Sequence, residues 1–178
     1  MSDKPSPAPA SSRGKFVALV GAACAAIATP LVVKWESGGR EHLTAYRDIG
    51  GVWTICDGDT ANVRPGMVET REGCEARRDR QLAAHASPVL RCTPSLRGHN
   101  NQLAAAISLT YNIGPSAYCG STVAKRFNSG DWEAACDAFR SWRMAGGRVV
   151  QGLVNRRAEE RRLCLTAMPL RVDRKARS

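Results

Sequence analysis

The chain has 178 residues, 43% of them hydrophobic, and a formal net charge of +10 with a pI near 9.8. That length supports one domain with its own core, and the charge surplus calls for an anionic partner: nucleic acid, phospholipid or a polyanionic wall polymer. No zinc-finger spacing, RNA-binding signature or basic heptad is present, so nucleic acid is not expected.

In chain order, residues 1–15 are rich in Pro, Ser and Ala and read as a disordered N-terminus. Phe16 to Val33, "FVALVGAACAAIATPLVV", is uncharged over 18 residues, with Arg13 and Lys15 before it and Lys34 after it. As one helix it would span about 27 Å, close to a bilayer core. It inserts weakly, because only eight of its residues are Val, Leu, Ile or Phe and Gly21, Thr29 and Pro30 interrupt it. A retained signal-anchor is the expected reading. A signal peptide cleaved after "AIA" (Ala26–Ala28) and a buried core helix are its rivals. The basic flank orients residues 1–15 to the cytoplasm and the remainder outside.

Beyond residue 60 the pattern is helical. "TREGCEARRDRQLAAHASPVL" opens on Thr70 as N-cap with Glu72 in the first turn. "HNNQLAAAISLTYNIGP" sets Leu103, Ile107 and Tyr111 on one face and stops at Gly114-Pro115. Ser121 opens the next helix, and Asp131 opens "DWEAACDAFRSWRMAGG", with Trp132, Ala135, Phe139 and Trp142 inward and Gly146-Gly147 as its stop. "QGLVNRRAEERRLCL" is the last helix, its "RRAEERR" read as a charged outer face. The tail 167–178 is basic. Strand signal is confined to "VWTI", between glycines. The fold class is α+β: a small hairpin sheet at one end and a helical body behind it.

Seven cysteines, at 24, 56, 74, 92, 119, 136 and 164, form no CxxC pair. Disulfides in an oxidising compartment suit that spacing better than zinc. Local closure favours Cys56–Cys74, Cys92–Cys119 and Cys136–Cys164, which leaves Cys24 in the apolar run as the odd thiol. Either Cys24 is a small apolar residue there, or on release from lipid it exchanges with a disulfide such as that of Cys56. His42, His85 and His99 have no ligand spacing, so neither metal nor cofactor is expected.

The chemistry concentrates in "WESGGREHLTAYRDIGGVWTICDGDT", residues 35–60. Glu36 ends a short helix, and Asp48 and Thr54 fall on a glycine-bounded hairpin. Two carboxylates around one cleft are what glycoside hydrolysis requires, one to protonate the leaving oxygen and one to handle water. A polar surface hairpin with capping acids gives the same pattern. Asp57 and Asp59 have no evident partners.

This segment resembles the active-site segment of the phage-type (T4-like) lysozymes. "AAAISLTYNIG", "STVAKRFNSGDWEAACDAFRSW" and "GLVNRRAEERRLC" resemble that family's helical lobe, so the likeness runs in order over about residues 31–166. With the cysteines and the weak apolar run, the chain is most similar to the signal-anchor-release endolysins of phages of Gram-negative bacteria. The resemblance implies a lysozyme-like fold and a catalytic trio of Glu36, Asp48 and Thr54. Five residues separate Asp48 from Thr54, as in the family, but the eleven between Glu36 and Asp48 are more than is usual there. Glu41 is the rival acid, only six residues before Asp48 and with no helix end behind it. A general acid at Glu36 asks for a partly buried, apolar setting, to which Trp35 contributes, and Arg148 or Arg156 would position it.

The organisation expected is therefore a disordered N-terminus (1–15), a signal-anchor helix (16–33), a lysozyme-like catalytic domain (34–166) and a basic tail (167–178). The expected function is a muramidase that cleaves the β-1,4 bond between N-acetylmuramic acid and N-acetylglucosamine of peptidoglycan for host lysis. It would be a monomer tethered to the inner membrane and then released to the periplasm. A lytic transglycosylase and a non-enzymatic, membrane-tethered wall-binding module are the alternatives.

Overall fold

The computed structural model describes residues 12–38, 41–48 and 50–167. Residues 1–11 and 168–178 lie outside this set, and with them most of the expected disordered N-terminus and basic tail. The apolar run does not form one helix. It is divided between α1 (Ser12–Val20) and α2 (Ala22–Ser37), which meet at an angle of 117°. The break falls at Gly21, whose φ of 85° and ψ of 153° belong to a region that residues with a Cβ seldom enter. Among the described residues no single helix is long and apolar enough to cross a membrane, although this bent pair has the length and composition together.

Both halves are docked into the body. The first packs along α3 (Arg71–Cys92) and the second along α4 (Asn100–Ile113). Phe16, Val20, Cys24, Ala25, Ala28 and Val32 join Leu82, Val89, Leu103 and Ile107 in one core. Alanines at positions 25 and 28 let two helix backbones approach closely, and α4 is buried continuously from Gln102 to Thr110. Thr70 caps α3 as expected, its hydroxyl accepting the Gly73 N–H at 3.0 Å. Ser121 does the same for Ala124 at 3.1 Å, at the start of α6 (Thr122–Asn128), which follows α5 (Pro115–Gly120).

A hairpin of β1 (His42–Arg47) and β2 (Trp53–Cys56) forms the small sheet, with Tyr46 opposite Thr54 and a register shift between His42 and Tyr46. Its far side pairs with residues 67–69 through Ala45 and Leu43. Disulfides join Cys56 to Cys74, Cys92 to Cys119, and Cys136 to Cys164, the three local closures expected. Cys24 is free and fully buried.

The region before the last helix differs from expectation. The helix α7 (Trp132–Ala138) ends early, and a 3-10 turn at Phe139–Ser141 follows. Ala135 and Phe139 are buried, whereas Trp132 and Trp142 are half-buried. Gly146 and Gly147, read from sequence as a helix stop, form the two-residue loop of a hairpin between β3 (Met144–Ala145) and β4 (Arg148–Val149). Both have positive φ, as a tight hairpin turn requires. The chain then enters α8 (Gln151–Leu165), which packs against α4.

Candidate active site

Glu36 sits in the last turn of α2, just before the left-handed Gly38 that ends the helix. Its Oε1 accepts a 2.7 Å hydrogen bond from Arg156 Nη1 on α8. The Glu36 side chain is partly buried, 25% exposed, but it sits in an ion pair where an apolar setting was expected. Trp35 is half-buried, with the Lys34 ammonium over its ring.

The arginine itself is deeply held. Its Nε donates to Glu160 Oε1 at 3.1 Å, and its Nη2 donates to the Ser108 carbonyl at 2.9 Å. The Ser108 hydroxyl donates to Glu160 at 2.7 Å. Arg157 reaches the same carboxylate at 2.9 Å and Asn112 Oδ1 at 3.2 Å. Side-chain exposure is 4% for Arg156, 1% for Arg157 and 0% for Glu160. "RRAEERR" is therefore not an outer face throughout. Positions 156, 157 and 160 turn inward onto α4, while Arg162 is exposed and the half-buried Glu159 holds Lys34 at 2.8 Å. No apolar period marks this burial, and only the Arg156–Glu160 spacing of four hints at it. Arg148 is exposed on β4 and takes no part.

Asp48 and Thr54 are brought together at the hairpin tip by Val52. Asp48 Oδ1 accepts the Val52 N–H at 2.8 Å, and the Thr54 hydroxyl donates to the Val52 carbonyl at 3.1 Å. Asp48 also closes the turn through its backbone, to Val52 and Gly51. Thr54 is 3% exposed, so its hydroxyl is held firmly. Among the described residues no hydrogen bond or ion pair joins Glu36 to either of them.

Glu41 is engaged elsewhere. Arg78 of α3 spans Asp57 at 2.5 Å and Glu41 at 3.5 Å, and Arg77 spans Asp59 and Glu69, both at 2.9 Å. Asp57 and Asp59, without partners in the sequence reading, thus clamp the hairpin to α3 beside the Cys56–Cys74 disulfide. The Arg77 hydrogen bond holds the Glu69 carboxyl below its ordinary range. Tyr111, at the end of α4, hydrogen-bonds Gln81 and stacks on His85 at 4.5 Å. Its hydroxyl is pushed well up by burial, with the negative charge of Glu36 adding to it.

The described residues thus include a carboxylate at a helix end held by a buried arginine, and a carboxylate and a hydroxyl joined through Val52 on a hairpin. The phage lysozyme family model matches residues 35–160, which spans all three residues and the arginine behind the acid. The chain belongs to the phage lysozyme family. It is 34% identical to the SAR-endolysin of Enterobacteria phage P21 over 88% of this chain and 97% of that one. A structure of a P22 lysozyme mutant is 35% identical, covering 78% of this chain and 95% of that one, with a TM-score of 0.61. The active form of the P1 phage endolysin Lyz, at 21% identity, shares the fold, with a TM-score of 0.72 over 90% of this chain and 97% of that one. This phage-type lysozyme is a glycoside hydrolase, a muramidase of host lysis acting on peptidoglycan.

Proposed function

We propose that Glu36 is the general acid, Asp48 the carboxylate that activates water and Thr54 the hydroxyl that helps hold it, in cleavage of the β-1,4 bond between N-acetylmuramic acid and N-acetylglucosamine. The observation that carries the assignment is the hydrogen bond from Arg156 to one oxygen only of Glu36. A protonated carboxyl keeps that bond through its carbonyl oxygen, so the proton resides on Oε2, free to pass to the glycosidic oxygen. On the hairpin, Val52 occupies Asp48 Oδ1 and the donor of Thr54. Asp48 Oδ2 and the Thr54 lone pairs then accept the two protons of one water, whose own lone pair faces the sugar. Water delivered opposite the acid is the inverting geometry. Glu41, tied to Arg78, acts in clamping the hairpin.

The test is lysis of outer-membrane-permeabilised cells together with analysis of the sugar product. Glu36→Gln should fold and lose about 10²–10⁴ in rate, the usual contribution of general acid–base catalysis. Glu41→Gln should keep most activity. The reverse result would overturn the assignment, and an anhydro-sugar product would make the reaction a lytic transglycosylation.

The same reading includes a tether. Residues 16–33 hold the monomeric enzyme to the inner membrane, residues 1–15 on the cytoplasmic side, and full-length protein then leaves for the periplasm. The uncharged 18-residue run and the SAR-endolysin relatives support it. Mass spectrometry of periplasmic enzyme should find an uncut N-terminus, and a chain starting near Thr29 would make the segment a cleaved signal peptide.

A further inference from the structure

The acid, its arginine and the two groups behind them make a closed charge count. Arg156 and Arg157 carry two positive charges, and Glu160 and ionised Glu36 carry two negative ones. Three of the four are buried, so solvent compensates any imbalance poorly. When Glu36 takes up a proton, the group retains one positive charge, and Glu160 limits it to one. Without Glu160, protonated Glu36 would face two uncompensated guanidiniums and would be held as the carboxylate, the form that cannot donate.

We propose that Glu160, pinned by Ser108, is a positioning residue for the reaction: it anchors the rear of Arg156 and supplies the counter-charge that lets Glu36 carry a proton while still hydrogen-bonded. The inference rests on reading Glu36 as the general acid. The geometry fits both roles. Glu160 Oε1 is the common acceptor of Arg156 Nε, Arg157 Nη2 and the Ser108 hydroxyl. Arg157 Nε lies 2.8 Å from Oε2 as well, a charge contact out of line for a hydrogen bond. Burial holds the Glu160 carboxyl above its ordinary range, while the two guanidiniums and the Ser108 hydroxyl act in the opposite direction. Contact with both guanidiniums and with the Ser108 hydroxyl favours its charged form. Glu36 is faced by Arg156 and Arg157 from α8 and by Tyr111 from α4. Asp57 and Asp59 of the hairpin end act on the same Tyr111 hydroxyl, and His85 of α3 stacks behind its ring. Lys34, on the acid's own helix, is neutralised by Glu159. None of these touches Arg156 from the rear; Glu160 and Ser108 do.

The test uses full-length enzyme and purified peptidoglycan, with kcat/KM measured across pH and the Glu36 carboxyl followed by ¹³C NMR. In Glu160→Gln the alkaline limb and the Glu36 titration should both move down by about one pH unit, the usual effect of losing one nearby charge. Glu160→Asp, which keeps the charge, should return both toward their parental positions. Ser108→Ala weakens the hold on Glu160 without altering the charge count, and should move both in the same direction by less. It decides the question if Glu160→Gln does not fold. If neither quantity moves in a folded variant, Glu160 is not a positioning residue. If the titration moves and the alkaline limb does not, Glu36 is not the acid and the proposal falls with that assignment.

Discussion

Replacing Gly21 by alanine isolates the join between α1 and α2. Gly21 holds φ 85° and ψ 153°, a glycine conformation, and a Cβ there meets nothing within 4 Å. The cost is therefore of backbone origin, about 1–3 kcal/mol in the docked fold. For a chain of this length that lowers the melting temperature by about 2–12 °C. In a straight membrane-spanning helix the sign reverses, because alanine is favoured over glycine by about 1 kcal/mol. Together, the balance between tethered and docked enzyme should shift by about 2–4 kcal/mol toward the tether, roughly 30- to 700-fold. The assays are thermal unfolding of the purified protein, hydrogen exchange of α1, and lysis onset in cells. Gly152→Ala is the control. It lies in the first turn of α8, its Cβ also meets nothing within 4 Å, and it should stabilise by about 0.4–1 kcal/mol. A Gly21→Ala protein that melts with the parent and lyses on time would refute the reasoning.

Two further outcomes test the docking of the N-terminal helices. Arg13 reaches the buried Asp79 of α3 at 3.5 Å from a half-exposed position, so Arg13→Ala should cost about 1 kcal/mol by removing the ion-pair partner of a buried carboxylate. Burial raises the Asp79 carboxyl, so its stabilising share is complete below the ordinary Asp range and is lost as pH rises through the raised value. Arg13→Ala should therefore lose melting temperature relative to the parent as pH rises above the ordinary Asp range, and adding Asp79→Asn should remove that loss. No pH-dependent difference would mean that the pair is cosmetic. Cys24 should resist alkylation at about pH 8 in the native enzyme, since its thiol is fully buried between packed helices. One thiol per chain should appear on unfolding, and rapid native labelling would show that α2 does not stay docked.

The helices and disulfides were legible because their signals are local. Thr70 and Ser121 announce their caps, and three cysteine pairs close short loops. The hairpin with Asp48 and Thr54 was legible from its glycines. What escaped was set by tertiary context. Apolar composition does not say whether a run stays straight, so the break at Gly21 and the docking of both halves on the core were not legible. Arg156, Arg157 and Glu160 looked solvated because charge is ordinarily a surface property, and their burial depends on one another and on Ser108. Asp57 and Asp59 find their arginines about twenty residues along the chain, on the helix that the disulfide brings alongside.

Because the segment 16–33 also forms core, its evolution under the tethering reading answers to two solvents at once. Cys24, Ala25 and Ala28 lie on the buried face of α2, and enlarging any of them to strengthen membrane insertion would overpack the core by about 1–3 kcal/mol. Ala22, Ala23 and Ala26 point outward. Changes there alter lipid affinity with little effect on the fold. A phage lineage adjusting when its host bursts would drift at those three alanines, while the positions between them stay small.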